Sequence, residues 1–198
     1  MAAKTQKSAK DLKKKKKWVP IFASKDFGNM EIGETYVAEA EPCVGKTVEI
    51  NLMNITRDSR KHGNVNVKFK ITSYANNQLQ ADLVSYRLQV AQLKRTTRAN
   101  KDKIEDSFIV KSKDDVKVAI KPIMLTKAET KNSVLTAVRH ATRSFATELA
   151  KRLTYAQLMN EIVNGNLQKD IKNAVKKVYP ITNCTLKAAT RENSFFYL

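Results

Sequence analysis

Few residues in this chain have the type and spacing that catalysis or ligand binding requires, and each can be tested on chemical grounds. Gly45-Lys46-Thr47 ends like a phosphate-binding loop, but that motif needs a glycine five residues before Gly45, where Ala40 stands. The residues that follow alternate apolar and polar as a strand does, so no helix N-terminus is expected there to receive a phosphate. His62 lies in a basic loop and His140 beside Arg139, neither with metal-ligand or triad spacing. Glu105-Asp106 and Asp114-Asp115 fall in or near predicted turns, where solvated carboxylates are the ordinary case. Cys43 and Cys184 are too few for a disulfide framework and lack ligand spacing, which fits a reduced, intracellular protein. No nucleophile, base and orienting group come together, so the expectation is no enzyme, no cofactor and no metal.

Positive charge is the chemistry that remains. The 198 residues hold 37 Lys plus Arg against 19 Asp plus Glu, a formal +18. Such an excess repels itself in a compact state and is tolerated where a polyanion neutralises it, nucleic acid first and an anionic membrane second. Residues 1–17 carry eight lysines and one aspartate, including Lys13, Lys14, Lys15, Lys16 and Lys17, with almost nothing to bury. They read as a tail that is disordered when free. The remainder still carries +11, which a targeting tail alone does not explain. Its candidate RNA contacts are Arg57, Arg60, Lys61 and His62 in one loop, Lys68 and Lys70 on a strand, Arg95 and Arg98 in a second cluster, and Arg139 and Arg143 on a helix. Trp18 beside Lys17, or Tyr36, could stack on an unpaired base or a ribose. The lone tryptophan of a small domain is more often core, and both readings stand. Phosphate contacts position a protein without reading sequence, so no base code is expected.

These side chains need a scaffold. WVPIF, with Pro20, suits only an edge or a bulge. Thr35–Glu39, Thr47–Asn54, Asn64–Thr72 and Gln78–Leu83 read as strands, with a tight turn at Asn76-Asn77. A helix is predicted over Tyr86–Thr97, then a hairpin of Lys103–Lys111 and Val116–Ile123. Three helices follow within Ser133–Thr182. In the first, Val134, Val138, Ala141, Phe145 and Leu149 form the apolar stripe, with Arg139 and Arg143 pointing away. The second, Tyr155–Asn164, starts at the N-cap Thr154 and ends at Gly165; the third, Leu167–Val178, stops before Pro180. A strand at Thr182–Ala189 closes the chain. Strands grouped before helices predict an α+β fold: a mostly antiparallel, barrel-like sheet with helices packed against it. One domain over 18–190 and a short tail over 191–198 complete the organisation. No apolar run approaches the roughly 18 to 20 residues that span a bilayer, so no membrane association is expected.

Five segments in order carry a resemblance: KKW at Lys16–Trp18, IGET at Ile32–Thr35, VGKTVEINLMNIT at Val44–Thr56, KFKIT at Lys68–Thr72 and GNLQKDIKNAVKKVYPI at Gly165–Ile181. Together they resemble the archaeal and eukaryotic small-subunit ribosomal protein family S-one-e, also called S-three-A-e, over about Lys16 to Lys187. The resemblance implies a structural, non-catalytic protein at the platform of the small subunit near the messenger RNA exit. Its implied partners are small-subunit ribosomal RNA, neighbouring platform proteins and messenger RNA near the exit, with no homo-oligomer. It further implies a cytoplasmic location in the small subunit, with a nucleolar assembly stage if the source is eukaryotic. One departure stands out: the family's Thr-Asp-Gly-Tyr hairpin turn is Lys113-Asp114-Asp115-Val116 here. The alternative from another class is a free nuclear nucleic-acid-binding regulator, supported only by the lysine run.

Overall fold

The computed structural model describes residues 15–24, 27–56, 62–97 and 99–192. The chain enters β1 (Lys17–Ala23) at Lys17; Val19, Ile21 and Ala23 alternate inward and are buried. β2 (Glu31–Val37) lies antiparallel on one side of β1, and β5 (Gln78–Leu88) lies parallel on the other. Pro20 is tolerated because the pairing with β5 begins only at Ile21, so no ladder bond on that side asks for its missing N–H. β3 (Thr47–Asn51), β4 (Val65–Ala75) and β5 form a meander. Asn76 and Asn77 join β4 to β5 at φ 52° and 61°, the two left-handed residues that a tight hairpin requires. β6 (Lys103–Glu105) and β7 (Phe108–Lys111) pair with β8 (Lys117–Thr126), and β8 pairs with β9 (Ile181–Arg191), which returns to β5.

Five helices complete the described residues: α1 (Leu52–Thr56), α2 (Val90–Thr96), α3 (Asn132–Arg152), α4 (Tyr155–Asn164) and α5 (Asn166–Val175). α3 packs on α5 and β7, and α5 on α4 and β9. Leu158, Met159 and Ile162 of α4 and Leu167, Ile171 and Val175 of α5 are fully buried in the one core cluster. Each such side chain contributes about 1.5–3 kcal/mol by leaving water. Thr154 accepts from the Gln157 N–H while the Gln157 side chain accepts from the Thr154 N–H, a complete capping box at the start of α4. Gly165 closes α4 at φ 78°.

The sheet is α+β and mostly antiparallel as predicted, but it is open, not barrel-like. β5 shares one side between β1 and β9, so the sheet forks there, and β2 and β3 each keep a single partner. The predicted helix at Tyr86–Thr97 begins late. Tyr86, Arg87 and Leu88 complete β5, all three held by β4 and the first two also by β9 on the other side, and only Val90–Thr96 is helical. The predicted strand Thr47–Asn54 stops at Asn51, whose Oδ1 accepts from the Met53 N–H and turns the chain into α1. Lys103–Lys111 is interrupted at Asp106-Ser107, and the third helix ends at Val175 instead of Val178. In α3 Val138 of the predicted stripe is buried, but beyond it the buried residues are Thr142, Ala146 and Ala150, each one position along from Ala141, Phe145 and Leu149, which flank them. Thr142 can be buried because its hydroxyl donates to the Val138 carbonyl at 2.8 Å.

Candidate nucleic-acid interface

The first cationic surface is the outward face of β1 and β2. The period-2 alternation that buries Val19 and Ile21 turns Trp18 outward, and it is 62% exposed; Tyr36, opposite it in register, is 51% exposed. The core reading of the lone tryptophan is thereby corrected: the core on this strand is filled by Val19, Ile21 and Ala23. The two rings lie 5.0 Å apart, tilted by 39°, and Lys16 Nζ stands 5.8 Å from the Tyr36 ring centre. Lys15 and Lys17 are also exposed, Lys17 on the Val19 side of β1, opposite the rings.

A second surface runs along the β3–β4–β5 meander. Lys68 faces Glu49 across the ladder, Nζ to Oε2 3.4 Å, while Lys70 stands opposite Asp82. Lys70, Asp82 and Arg191 line a hollow of about 380 Å³ with Gly45. Gly45, at φ +91°, donates its N–H to Ile71, and β3 follows instead of a helix. Arg191 reaches over the Tyr155 ring at 5.2 Å, and the Tyr155 hydroxyl donates to the Leu83 carbonyl at 2.7 Å. Burial pushes that phenol up to about 12.

The third surface is a cleft of about 340 Å³ between α2 and the β8–β9 ladder, lined by Gln92, Arg95, Lys101, Thr182 and Asn183 among others. Arg95 sits in the last turn of α2, where a cation offsets the helix C-terminal partial charge. Lys101 Nζ donates to Thr182 Oγ1 at 3.5 Å, and Lys172 Nζ donates to the Thr182 carbonyl at 2.8 Å, so two ammonium groups flank one threonine. The wall is fixed by Thr126. Its hydroxyl accepts from the Asp102 N–H, and its carbonyl accepts from the Thr182 hydroxyl. Asp102 Oδ2 in turn accepts from the Thr130 N–H at 2.7 Å.

The fourth surface is α3. Arg143 is exposed as predicted but is not free: Nε and one terminal nitrogen each donate to Asp106 at 2.7 Å, a bidentate pair. The Asp106 side chain is 6% exposed, so this carboxylate is not the solvated turn group that its position suggested. The Arg143 hydrogen bond holds it below the usual aspartate range, with the Ser107 N–H and the charge of Arg139 adding to the effect. Arg139 is half-buried, and His140 and Lys151 are exposed. Asp114, likewise read as solvated, accepts from the Tyr155 N–H at the start of α4. Cys43 and Cys184 are buried free thiols, and burial pushes Cys184 up to about 12.

Of the remaining candidates, Lys13, Lys14, Arg57, Arg60, Lys61 and Arg98 lie outside the described residues. His62 is half-buried and interacts within the fold. The described candidates do not converge on one pocket; they spread over several faces, as contacts to an extended polyanion would. Lys172 was not foreseen as a companion of Lys101, nor Asp106 as the holder of Arg143. Both depend on contacts between segments far apart in sequence, and no local pattern marks them.

Known proteins resemble this chain along most of its length. A protein named "Small ribosomal subunit protein eS1" from Archaeoglobus fulgidus is 31% identical over 173 residues, covering 87% of this chain and 82% of its own. Its namesake from Saccharolobus islandicus is 31% identical over 178 residues, covering 90% and 85%. That from Nanoarchaeum equitans is 29% identical over 167 residues, covering 84% of each. The model of the Ribosomal S3Ae family matches residues 4–190. With a basic, open-sheet α+β body and a family match over nearly its whole length, the chain belongs to the Ribosomal S3Ae family.

Proposed function

We propose that the chain is a structural constituent of the small ribosomal subunit, without a catalytic step, that binds small-subunit ribosomal RNA and neighbouring proteins at the platform near the messenger RNA exit. Family membership supports the subunit assignment, and the relatives carry that role in their names. The observation that carries the RNA-binding part is unneutralised charge. Among the described residues, the only lysines and arginines in ion pairs with described partners are Lys68, Lys103, Lys111 and Arg143. Among the described residues the other cations have no described carboxylate in an ion pair, a pattern matched to a phosphate backbone, whose counterions such cations displace. The tail, residues 57–62, the α2 cleft and Arg139 on α3 are assigned to ribosomal RNA. In this role the protein resides in the cytoplasm on the subunit, and in a eukaryote passes through the nucleolus during assembly. The free nuclear regulator has nothing beyond the lysine run in its favour. Sedimentation of the tagged chain in a sucrose gradient tests the proposal: about one copy per small subunit is expected, and a chain found wholly outside small-subunit particles refutes it.

A further inference from the structure

We propose that Trp18 and Tyr36 form a stacking platform for an unpaired RNA base, with Lys16 on a flanking phosphate. This rests on the RNA-binding reading above and adds a ligand class to one place on the surface. Large aromatic rings are seldom left in water, yet both of these are more than half exposed and directly opposite one another in the β1–β2 ladder. Strand register puts them there. A one-residue slip would bury Trp18 and expose Val19, so the whole core alternation of β1 holds Trp18 outward. The 39° tilt keeps the rings from closing face to face, and Trp18, the more exposed of the two, leaves ring surface open to a third ring.

Charge and size select RNA over a protein partner. Lys15, Lys16 and Lys17 are all exposed, and Lys16 Nζ stands over the Tyr36 ring. Cations interleaved with exposed aromatics are how single-stranded nucleic acid is held: the phosphates are neutralised while bases stack on the π-faces. Two rings supply about 300–500 Å² even when fully covered, roughly half of the 800 Å² per partner that a stable protein interface buries. Paired bases are already stacked within a helix, so the platform takes a looped-out or single-stranded nucleotide.

Trp18 is the only tryptophan in the chain, so its fluorescence reports on this site alone. Full-length protein is titrated with a uridine oligonucleotide and, in parallel, with heparin, a polyanion without bases. Saturable quenching by the oligonucleotide and none by heparin at equal charge is expected. Trp18→Ala should weaken oligonucleotide binding, read by anisotropy, by roughly 5- to 150-fold while leaving heparin affinity unchanged, and Trp18→Phe should restore most of the loss. Equal quenching by heparin, or Trp18→Ala binding the oligonucleotide as tightly as the parent, overturns the proposal. If Trp18→Ala keeps full RNA affinity but no longer enters small subunits, the proposal is overturned and the patch belongs to a protein. Entry into subunits by a chain that shows no quenching defeats the stacking alone. Quenching by a chain that never enters subunits supports the stacking and defeats the ribosomal reading.

Discussion

The cleft between α2 and the β8–β9 ladder offers a quantitative prediction. Arg95→Gln combined with Lys101→Gln removes two cations that no carboxylate neutralises among the described residues, and neither side chain belongs to the core. Each phosphate neutralised by a protein contributes about 0.9 to the slope of log K against log salt for a duplex, and about 0.7 for a single strand. If both cations meet phosphates, the double variant loses about 1.4–1.8 from that slope. Over a fourfold rise in salt, the parent should lose about 7- to 12-fold more affinity than the variant. The assay is fluorescence anisotropy of the full-length protein with a small-subunit ribosomal RNA fragment across a salt series. A control separates the charge of the cleft from charge in general: Arg143→Gln with Asp106→Asn removes a bidentate pair without changing net charge, and its slope should match the parent. An unchanged slope in the cleft variant, or equal flattening in the control, refutes the reasoning.

Three further perturbations test how the surfaces are held. Tyr155→Phe removes the donor to the Leu83 carbonyl that ties α4 to β5, and should cost about 1–3 kcal/mol in urea unfolding; no loss would show that the bond is not stabilising. Asp106 is held below its ordinary value by Arg143, so its contribution to stability is complete above about pH 3.9 and is lost as the pH falls through the lower folded value. Asp106→Asn should therefore flatten the acid limb of a stability–pH profile, and an unaltered limb would contradict the pairing. At the hairpin turn, Asp115 adopts φ 58°, a left-handed conformation that glycine takes without strain. Asp115→Gly should raise the unfolding midpoint slightly, because the exposed pair with Lys111 that it gives up is worth little, and Asp115→Val should lower it.

Local chemistry was legible from sequence where a residue's role depends on its immediate neighbours. Thr154 and Gly165 cap α4, Asn76-Asn77 turns the β4–β5 hairpin, and alternation from Val65 to Ile71 sets the buried face of β4. Reading failed where distant segments decide. Tyr86–Leu88 has residues that a helix accepts, but β9 arrives from about a hundred positions later and pairs with it as a strand. The predicted stripe of α3 was displaced because a threonine counted as polar becomes core once its hydroxyl turns back on its own helix. Closure into a barrel was not decidable from alternation, since it depends on whether the edges β2 and β3 find second partners. The exposed position of Trp18 follows from strand register, which composition alone cannot supply. For the site, the excess of cations was plain from counting, whereas the pairing of Arg143 with Asp106 required the fold.

The described cations without a described ion-pair partner are assigned to ribosomal RNA within the assembled small subunit. Ultraviolet cross-linking of intact subunits, followed by mass spectrometry of the nucleotide-bearing peptides of this chain, tests this assignment most directly. Cross-links are expected on peptides containing Lys16–Trp18, Arg95–Lys101 and the Arg139 face of α3. Cross-links confined to other surfaces, or none to this chain in subunits that contain it, would rule that assignment out.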